Sequence, residues 1–330
     1  MSTKDCNGKT IPVYKIADVV SCTNVKVSKD ASDDSSNIYN LKVKICVEPK
    51  SLPLAGQFYM LKAVKGNVLL SRPISLYNVE VATGDGTIER PSSIESRASK
   101  EKFASNGNGG SKGKVSTIEK RALKDVGLAK DLVSNGNGGS KENPSSKEPH
   151  ASKEKTPPNF IHATLEFLIL QKGKGTQELC HLQKNDKIEI LGPLGNSFTS
   201  PNKIKQILKI LLNKKHLIIG GGIGVSPVAG FARTLEKKSY DFIACFKSGK
   251  YGLNKICANK LTVTTDDGSV GVKGMLPQVF DEQVANRYSV VYACGPTPML
   301  KYVKEICDKA NVLCYLSMES KMACGGWKKN

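Results

Sequence analysis

The second part of the chain, from about residue 203 onward, alternates short apolar runs with amphipathic stretches of helical length. The apolar runs have the length and the β-branched content of buried strands, and they read "HLIIGG", "YDFIACF", "KLTVTT", "YSVVYACG" and "VLCYLS". Helical spacing of apolar residues is found in "SPVAGFARTLEKK" and "TPMLKYVKEICDKA". Because strands that alternate with helices pair in parallel, this pattern predicts a doubly wound α/β domain.

The first part of the chain has six short β-rich runs separated by turn residues. They are "IPVYKIADVV", "IYNLKVKICVE", "GQFYMLKAV", "VLLSRPISLYNV", "HATLEFLIL" and "DKIEILGPLG". Short strands that follow one another without intervening helices indicate a small antiparallel β-barrel. We therefore predict a β-barrel domain in residues 1–200, followed by the α/β domain in residues 201–330.

A segment of different composition interrupts the barrel at residues 82–158. It consists mainly of Gly, Ser, Asn, Lys and Glu, and the octamer "SNGNGGSK" occurs in it twice. Such a segment cannot bury enough apolar surface to offset the entropy lost on ordering, so we predict a disordered insertion. A hairpin tip tolerates an insertion of this kind, because loop length lowers stability only slowly.

Charge and cysteine content narrow the classes of function. The net charge is +19, but the lysines are dispersed and not interleaved with aromatic residues, so we expect no nucleic-acid partner. The ten cysteines include no C-x-x-C pair, and no apolar run follows a basic start at the N-terminus. These features predict reduced thiols, a cytoplasmic location and no membrane segment, since a membrane helix needs roughly 20 apolar residues.

Two glycine-containing loops follow predicted strands of the α/β domain. "GGGIGVSP" (220–227) lets the backbone approach a pyrophosphate at a helix N-terminus, although it departs from G-x-G-x-x-G at Val225 and Pro227. "ACGPTPML" (293–300) ends a second strand, and ligands of open α/β sheets lie at the carboxyl ends of strands. A tight structural turn and a small core residue at Cys294 are the alternative interpretations.

Three segments of the barrel are typical of a flavin site when they are taken together: "SRPISLYN" (71–78), "KGKGTQEL" (172–179) and "LGPLGNSF" (191–198). Pro73 lacks a backbone donor, which indicates an edge or bulge position. Arg72 is either a surface arginine or a neutralising partner of phosphate. In the second case Ser75 would bond the isoalloxazine, and Gly175 and Thr176 would supply backbone donors.

The ordered series RPIS, GKGT, GPLGN, GGGIGVSP, TDDGS-x-G-x-KG, CGP and S-x-E-x-x-MACG covers nearly the whole chain outside 82–158. It resembles the electron-transfer subunit of the NAD-linked (type B) dihydroorotate dehydrogenase, within the ferredoxin-reductase superfamily. The resemblance implies an NAD-linked, FAD-dependent oxidoreductase with no catalytic side chain of its own. It places FAD at Arg72, Pro73, Ile74, Ser75, Gly175 and Thr176, and NAD at Gly221, Gly222, Ile223, Gly224, Cys294, Gly295 and Pro296.

The resemblance also implies a partner and an electron path. In the family, electrons leave FMN in a separate dihydroorotate-oxidising subunit, cross a [2Fe–2S] cluster, reach FAD and reduce NAD⁺. The expected assembly is therefore a hetero-oligomer that serves pyrimidine biosynthesis. FAD chemistry belongs to the cofactor, so the chain contributes positioning and tuning.

The cluster needs four cysteine thiolates, and the family pattern is close to C-x4-C-x2-C with one more cysteine further on. Counted from Cys324, the second ligand falls on Lys329 and the third falls beyond residue 330. We expect residues 317–330 to be a truncated cluster loop that binds no cluster, with Cys324 as the surviving candidate ligand. Three explanations stay open: an artefactual end, a cluster-free NAD(P)H:acceptor flavin reductase, or a non-enzymatic partner subunit.

Overall fold

A computed structural model of the chain describes residues 12–25, 37–82, 88–89, 160–208 and 215–318. The described residues form two sheets, one antiparallel and one parallel. The antiparallel sheet contains the first seven strands of the chain and the parallel sheet the last six. The division into a β part followed by an α/β part therefore agrees with the prediction.

The first sheet closes into a six-stranded antiparallel barrel, as predicted. Its strand order is β3-β7-β1-β2-β6-β4, and β4 pairs with β3 to complete the circle. A seventh strand, β5, pairs with the end of β4 and with no other strand of the described residues. The bounds are β1 Val13–Asn24, β2 Ile38–Val47, β3 Phe58–Ala63, β4 Arg72–Ala82, β5 Ile88–Glu89, β6 Ile161–Leu170 and β7 Lys187–Leu194.

Alternating burial along β2 shows why these residues form a barrel wall. Leu41, Val43 and Ile45 are buried in the barrel core, whereas Lys42 and Lys44 between them face outward. Because the side chains of a strand alternate between its faces, this pattern fixes which face is inside. Helix α1 (Lys174–Cys180) adds Leu179 and Cys180 to the same core.

The second sheet is parallel, with the strand order β11-β10-β9-β8-β12-β13. The strands are β8 His216–Gly221, β9 Tyr240–Phe246, β10 Leu261–Thr265, β11 Val272–Lys273, β12 Val290–Cys294 and β13 Leu313–Ser317. The helices are α2 Pro201–Leu208, α3 Val225–Ala232, α4 Glu282–Ala285 and α5 Thr297–Lys309. Short 3₁₀ turns lie at Pro49–Ser51, Gly222–Gly224 and Leu276–Gln278.

Two apolar layers cover the two faces of the parallel sheet, as expected for a doubly wound arrangement. On one face Ile218 of β8 packs in a cluster that includes Val228 and Phe231 of α3. On the other face Leu217 and Ile219 pack in a cluster with residues of α5. Every residue of β8 is therefore buried, which is why the residues that follow His216 in "HLIIGG" are all apolar.

Strand β5 corrects the predicted bounds of the disordered insertion. Ala82 pairs with Ile88 and Val81 with Glu89, so residues 82 and 88–89 belong to the barrel sheet, although 82–158 was predicted to be disordered. The intervening sequence "TGDGT" is rich in turn residues, which favours a hairpin and explains the error. The remainder of 82–158 lies outside the described residues, and its disorder stays a prediction.

A buried arginine joins α3 to the barrel. Arg233 donates from Nη1 to the carbonyl oxygen of Tyr77 (2.9 Å) and from Nη2 to that of Asn254 (2.8 Å). Its guanidinium also stacks on the Tyr77 ring, 4.1 Å from the centroid. In the same region Gly230 lets the helix approach the strand, because a Cβ there would lie 2.8 Å from the Tyr77 oxygen.

We expect Arg233→Ala to lower the free energy of unfolding by about 3 kcal/mol. The substitution takes the charged donor away from the buried carbonyl group of Tyr77 and from the carbonyl group of the exposed Asn254, and a hydrogen bond to a charged group contributes about 1.5–3 kcal/mol. Urea unfolding followed by circular dichroism measures the change. Arg287→Ala is the matched control, because Arg287 is exposed; equal losses in both variants would contradict this role for Arg233.

Candidate functional site

The predicted FAD-binding residues of β4 and α1 lie together. A Cβ placed on Gly175 would be only 2.3 Å from Nε of Arg72, so the guanidinium packs directly against the glycine backbone. Arg72 begins β4 and Gly175 lies in the first turn of α1, far away in sequence. The structure therefore brings the two residues into one cationic corner, in which a side chain at position 175 would displace the Arg72 guanidinium.

Thr176 shapes the loop before α1. Its Oγ1 accepts hydrogen bonds from the backbone N–H groups of Lys172 (2.9 Å) and Gly173 (3.1 Å). The same hydroxyl donates to the carbonyl oxygen of Gly173 at 2.9 Å. The side chain thus holds the loop beside Arg72, a role that the sequence did not reveal, because the threonine was expected to contribute through its backbone.

The segment Arg72–Ser75 lies at an open edge of the described sheet. Pro73, Ile74 and Ser75 pair with residues of β3, but the pairing of β4 with β6 begins only at Leu76. Pro73 is exposed, and Ile74 and Ser75 are half-buried. The proline therefore occupies an edge position, one of the two positions predicted for it, and this half of β4 has one side without a strand partner among the described residues.

Glu178 of α1 was missed by the sequence analysis. Its carboxylate accepts a hydrogen bond from the backbone N–H of Asn67 at 2.8 Å and a longer one from that of Val68 at 3.4 Å. These contacts fix the loop that leads into β4, where Leu69 is 84% exposed. A lone glutamate on a short polar helix gives no sequence signal for such a contact, because its partners are backbone groups.

The two glycine loops of the α/β sheet meet in space, as the sequence suggested. A Cβ on Gly224 would lie 2.7 Å from the Cys294 carbonyl oxygen and from the Gly295 backbone. A Cβ on Gly221 would lie 2.5 Å from the Met299 sulfur and 3.0 Å from Pro296. The loops after β8 and β12 therefore pack backbone against backbone at the carboxyl edge of the sheet, where open α/β sheets hold their ligands.

Gly222 has a different reason to be glycine. Its φ of +53° is a left-handed conformation, and the nearest atom to a Cβ added there would be the Tyr251 hydroxyl oxygen at 4.0 Å. Ile223 next to it is half-buried. Gly222 and Ile223 are therefore the half-buried positions of the loop after β8, whereas Gly221 and Gly224 are buried.

In the loop after β12, Cys294 is buried at the end of the strand, where it pairs with Gly220 of β8, whereas Pro296 is exposed.

The segment "TDDGSVGVKG" folds on itself at the end of β10. Thr265 Oγ1 donates to the Val270 carbonyl oxygen (2.9 Å), and the Asp267 carboxylate accepts from the Ser269 N–H (2.9 Å). Ser269 Oγ in turn accepts from the Gly249 N–H (2.9 Å). The segment therefore holds the loop that follows β9, on which Lys247 and Lys250 are exposed at the same edge of the sheet.

A cavity of about 180 Å³ lies between the outer face of the barrel and the α/β sheet. Buried Glu166 lines the cavity. Its carboxylate accepts hydrogen bonds from the side-chain amides of Asn78 (3.0 Å) and Asn40 (3.2 Å), and Nζ of Lys42 lies 3.3 Å from its Oε1. Burial alone raises the pKa of Glu166, but these amide donors and the Lys42 ammonium outweigh it and lower the pKa. None of the predicted cofactor-binding residues lines this cavity.

We expect Glu166→Gln to remove stability that depends on pH. A carboxyl group whose pKa is lower in the folded state stabilises the protein above its usual pKa of 4.5, and this contribution is lost as the pH falls through the folded-state pKa. The variant should be less stable than the parent by about 1–2 kcal/mol at pH 7. Urea unfolding between pH 7 and pH 3 tests this, and a difference that grows on acidification would contradict it.

The proposed cluster ligand Cys324 lies outside the described residues. Within the described ranges, no group of three or more His, Cys, Asp or Glu side chains is arranged to hold a metal ion. The eight cysteines of those ranges form no disulfide with one another.

The solved structures that superpose on this chain include two reductases of low sequence identity. The cytochrome P450 reductase of Amycolatopsis superposes with a TM-score of 0.52 over 94% of this chain and 71% of its own, at 12% identity. The ferredoxin reductase of carbazole 1,9a-dioxygenase gives a TM-score of 0.50 over 93% and 68%, at 16% identity. These likenesses show a fold of the ferredoxin-reductase type, in which a β-barrel precedes a parallel α/β sheet.

Two relatives with curated names are more similar in sequence to the chain than these solved structures are. The chain is 37% identical over 168 residues to the "Dihydroorotate dehydrogenase B (NAD(+)), electron transfer subunit" of Caldanaerobacter subterraneus subsp. tengcongensis. It is 38% identical over 163 residues to the protein of the same name in Clostridium acetobutylicum. The matched regions span 51% and 49% of this chain, and 64% and 61% of the relatives. The similarity therefore extends over somewhat less than two thirds of those proteins.

No protein-family model matches the chain. Among the helices in the described residues, none is both long enough and apolar enough to cross a membrane.

Proposed function

We propose that this chain is an electron-transfer flavoprotein subunit that binds FAD and NAD and works with a dihydroorotate-oxidising catalytic subunit. The observation that carries the proposal is the packing of Arg72 against Gly175, which builds a cationic corner from two distant motifs. The meeting of the glycine loops after β8 and β12 supports it, as do the names of the curated relatives.

In this proposal the residues of β4 and α1 hold FAD. Arg72 neutralises the pyrophosphate, because a guanidinium forms strong charge-assisted hydrogen bonds with phosphate oxygens. Gly175 and Thr176 offer backbone N–H groups beside it. Pro73, Ile74 and Ser75 line the isoalloxazine ring along the unpaired side of β4, with Ser75 as the polar contact. When bound, FAD supplies the electron-transfer chemistry, which no side chain of the chain provides.

The loops after β8 and β12 hold NAD. Gly221, Gly222, Ile223 and Gly224 accommodate the pyrophosphate against the start of α3, since glycines permit a close approach of the backbone. Cys294, Gly295 and Pro296 border the nicotinamide. Lys247 and Lys250 offer cations at the neighbouring strand end, where a 2′-phosphate of NADP would bind, but the names of the relatives favour NAD.

The partner in this proposal is a catalytic subunit that carries FMN, and the two chains form a hetero-oligomer of pyrimidine biosynthesis in the cytoplasm. Co-purification of separately tagged chains tests the assembly. A stable complex that reduces NAD⁺ with dihydroorotate supports the proposal. The absence of a complex when both chains are folded and carry their flavins would contradict the partner assignment.

Two alternatives to this proposal predict different results when the purified chain is assayed with the catalytic subunit. A stand-alone flavin reductase oxidises NADH with an artificial acceptor but does not couple to dihydroorotate when the partner is added. A non-enzymatic partner subunit binds the catalytic chain and retains no FAD. The position of both glycine loops at the carboxyl edge of the parallel sheet favours a cofactor-binding chain over the second alternative.

A further inference from the structure

Tyr251, in the loop after β9, lies beside the glycine loop that follows β8. Its hydroxyl oxygen is 4.0 Å from the position that a Cβ of Gly222 would occupy. Apart from Gly222 and its chain neighbours, no other atom of the described residues lies within 4 Å of that position. The hydroxyl therefore faces the open side of Gly222, in the loop that is proposed to hold the pyrophosphate of NAD.

The packing of the loop after β9 fixes the Tyr251 ring. Its centroid lies 4.7 Å from that of Phe246, the buried last residue of β9, and both rings pack in the apolar cluster that includes residues of α3. The next residue, Gly252, accepts a hydrogen bond from the Tyr77 hydroxyl at its carbonyl oxygen, at 3.2 Å. A Cβ on Gly252 would lie 3.0 Å from Val225, so the backbone is tightly packed here. The fold thus positions the hydroxyl before any ligand binds.

The Tyr251 hydroxyl has no hydrogen-bond partner among the residues that the structure describes. Other tyrosines of the α/β part do: Tyr292 donates to the Thr199 carbonyl oxygen and Tyr302 to that of Phe280, each at 2.8 Å. Tyrosines that are largely buried usually find such a partner. Burial raises the pKa of Tyr251, so its hydroxyl keeps the proton at neutral pH and is available as a donor.

We propose that the Tyr251 hydroxyl donates a hydrogen bond to a pyrophosphate oxygen of the nicotinamide nucleotide and positions it over the glycine loop. This inference rests on the proposed function, because it adds a contact to the NAD site. The pyrophosphate offers charged acceptor oxygens, and Gly222 lets them approach the backbone without a side chain in the way. A ring that is already held by packing loses little side-chain freedom on binding. Tyr251 is therefore a binding residue and takes no part in electron transfer.

Tyr251→Phe tests the proposal, because it removes the hydroxyl and keeps the ring. Calorimetric titration of the full chain with ADP-ribose, which has the pyrophosphate but not the nicotinamide, measures affinity without electron transfer. We expect the variant to bind ADP-ribose at least about tenfold more weakly than the parent chain, since a hydrogen bond to a charged group is lost. The unfolding midpoint of the ligand-free variant should equal or exceed that of the parent, because the hydroxyl bonds to no described residue. A purely structural role would lower that midpoint.

Tyr288→Phe is the matched control. The Tyr288 hydroxyl donates to Oδ2 of Asp241 at 2.9 Å, near the amino-terminal end of β9 and so at the opposite edge of the sheet from the glycine loops. This variant should bind ADP-ribose as the parent does. Tyr251→Phe should also keep the parent's affinity for FAD, because the proposed contact is to the nicotinamide nucleotide.

Three results would overturn the proposal, and they separate it from the proposed function. If the parent and Tyr251→Phe bind ADP-ribose equally tightly, the hydroxyl contacts only solvent, and the inference fails while the NAD site stands. If Tyr251→Phe loses affinity for FAD and not for ADP-ribose, the hydroxyl serves the flavin. If the parent itself does not bind ADP-ribose, the proposed NAD site is wrong and the inference fails with it.

Discussion

Arg72→Ala is expected to weaken FAD binding by about ten- to a hundredfold, since a hydrogen bond to a charged group contributes about 1.5–3 kcal/mol. The guanidinium lies against Gly175, so its removal takes the cation away from the place where the pyrophosphate is proposed to bind. Fluorescence titration of the apoprotein with FAD measures the dissociation constant. The unfolding midpoint of the apoprotein should change little, because Arg72 is not part of the buried core.

Two further variants show whether the loss of FAD affinity is specific to the Arg72 guanidinium. Arg287→Ala removes the same charge from an exposed position in the α/β part and should leave FAD affinity unchanged. Arg72→Lys keeps a charge but loses the planar fork of donors, so it should recover only part of the affinity. If Arg72→Ala bound FAD as tightly as the parent chain, Arg72 would be an ordinary surface arginine and the proposed FAD site would be wrong.

Gly224→Ala is expected to raise the KM for NADH by about tenfold or more while FAD stays bound. Gly224 has a φ of −62°, which alanine adopts without strain, so the effect comes from steric overlap alone. The added Cβ would lie 2.7 Å from the Cys294 oxygen and the Gly295 backbone, and these atoms can move only if the two loops separate. Such overpacking costs about 1–3 kcal/mol at the place where the nicotinamide nucleotide is proposed to bind.

Stopped-flow reduction of bound FAD by NADH measures this effect, and reduction by dithionite reports whether the flavin itself is intact. Gly173→Ala is the matched control, because a Cβ there meets no atom within 4 Å. It should leave the KM for NADH unchanged. A Gly224→Ala variant with the parent's KM would show that the meeting of the two loops is a structural turn and not a nucleotide site.

All six barrel strands and the five strands quoted for the α/β part were predictable, because their apolar periodicity is local information. Strand β8 illustrates this, because both faces of the strand are buried. After His216, all of its residues are apolar. Short elements were missed. β11 has two residues and α4 has four, and neither carries a periodic signal.

The contacts of the candidate site were harder to predict than its motifs. The sequence motifs pointed to Arg72 and Gly175, but the direct contact between them depends on how α1 packs beside β4. Glu178 and Thr176 act through backbone groups that no residue pattern reports.

The central claim is tested most directly by incubating the purified chain with FAD, removing free flavin by gel filtration and adding NADH under anaerobic conditions. The proposed function predicts that the protein retains the visible flavin bands and that NADH bleaches them. A colourless protein after gel filtration would contradict the claim at its first step. Retained flavin that dithionite bleaches and NADH does not would contradict the assignment of the NAD site.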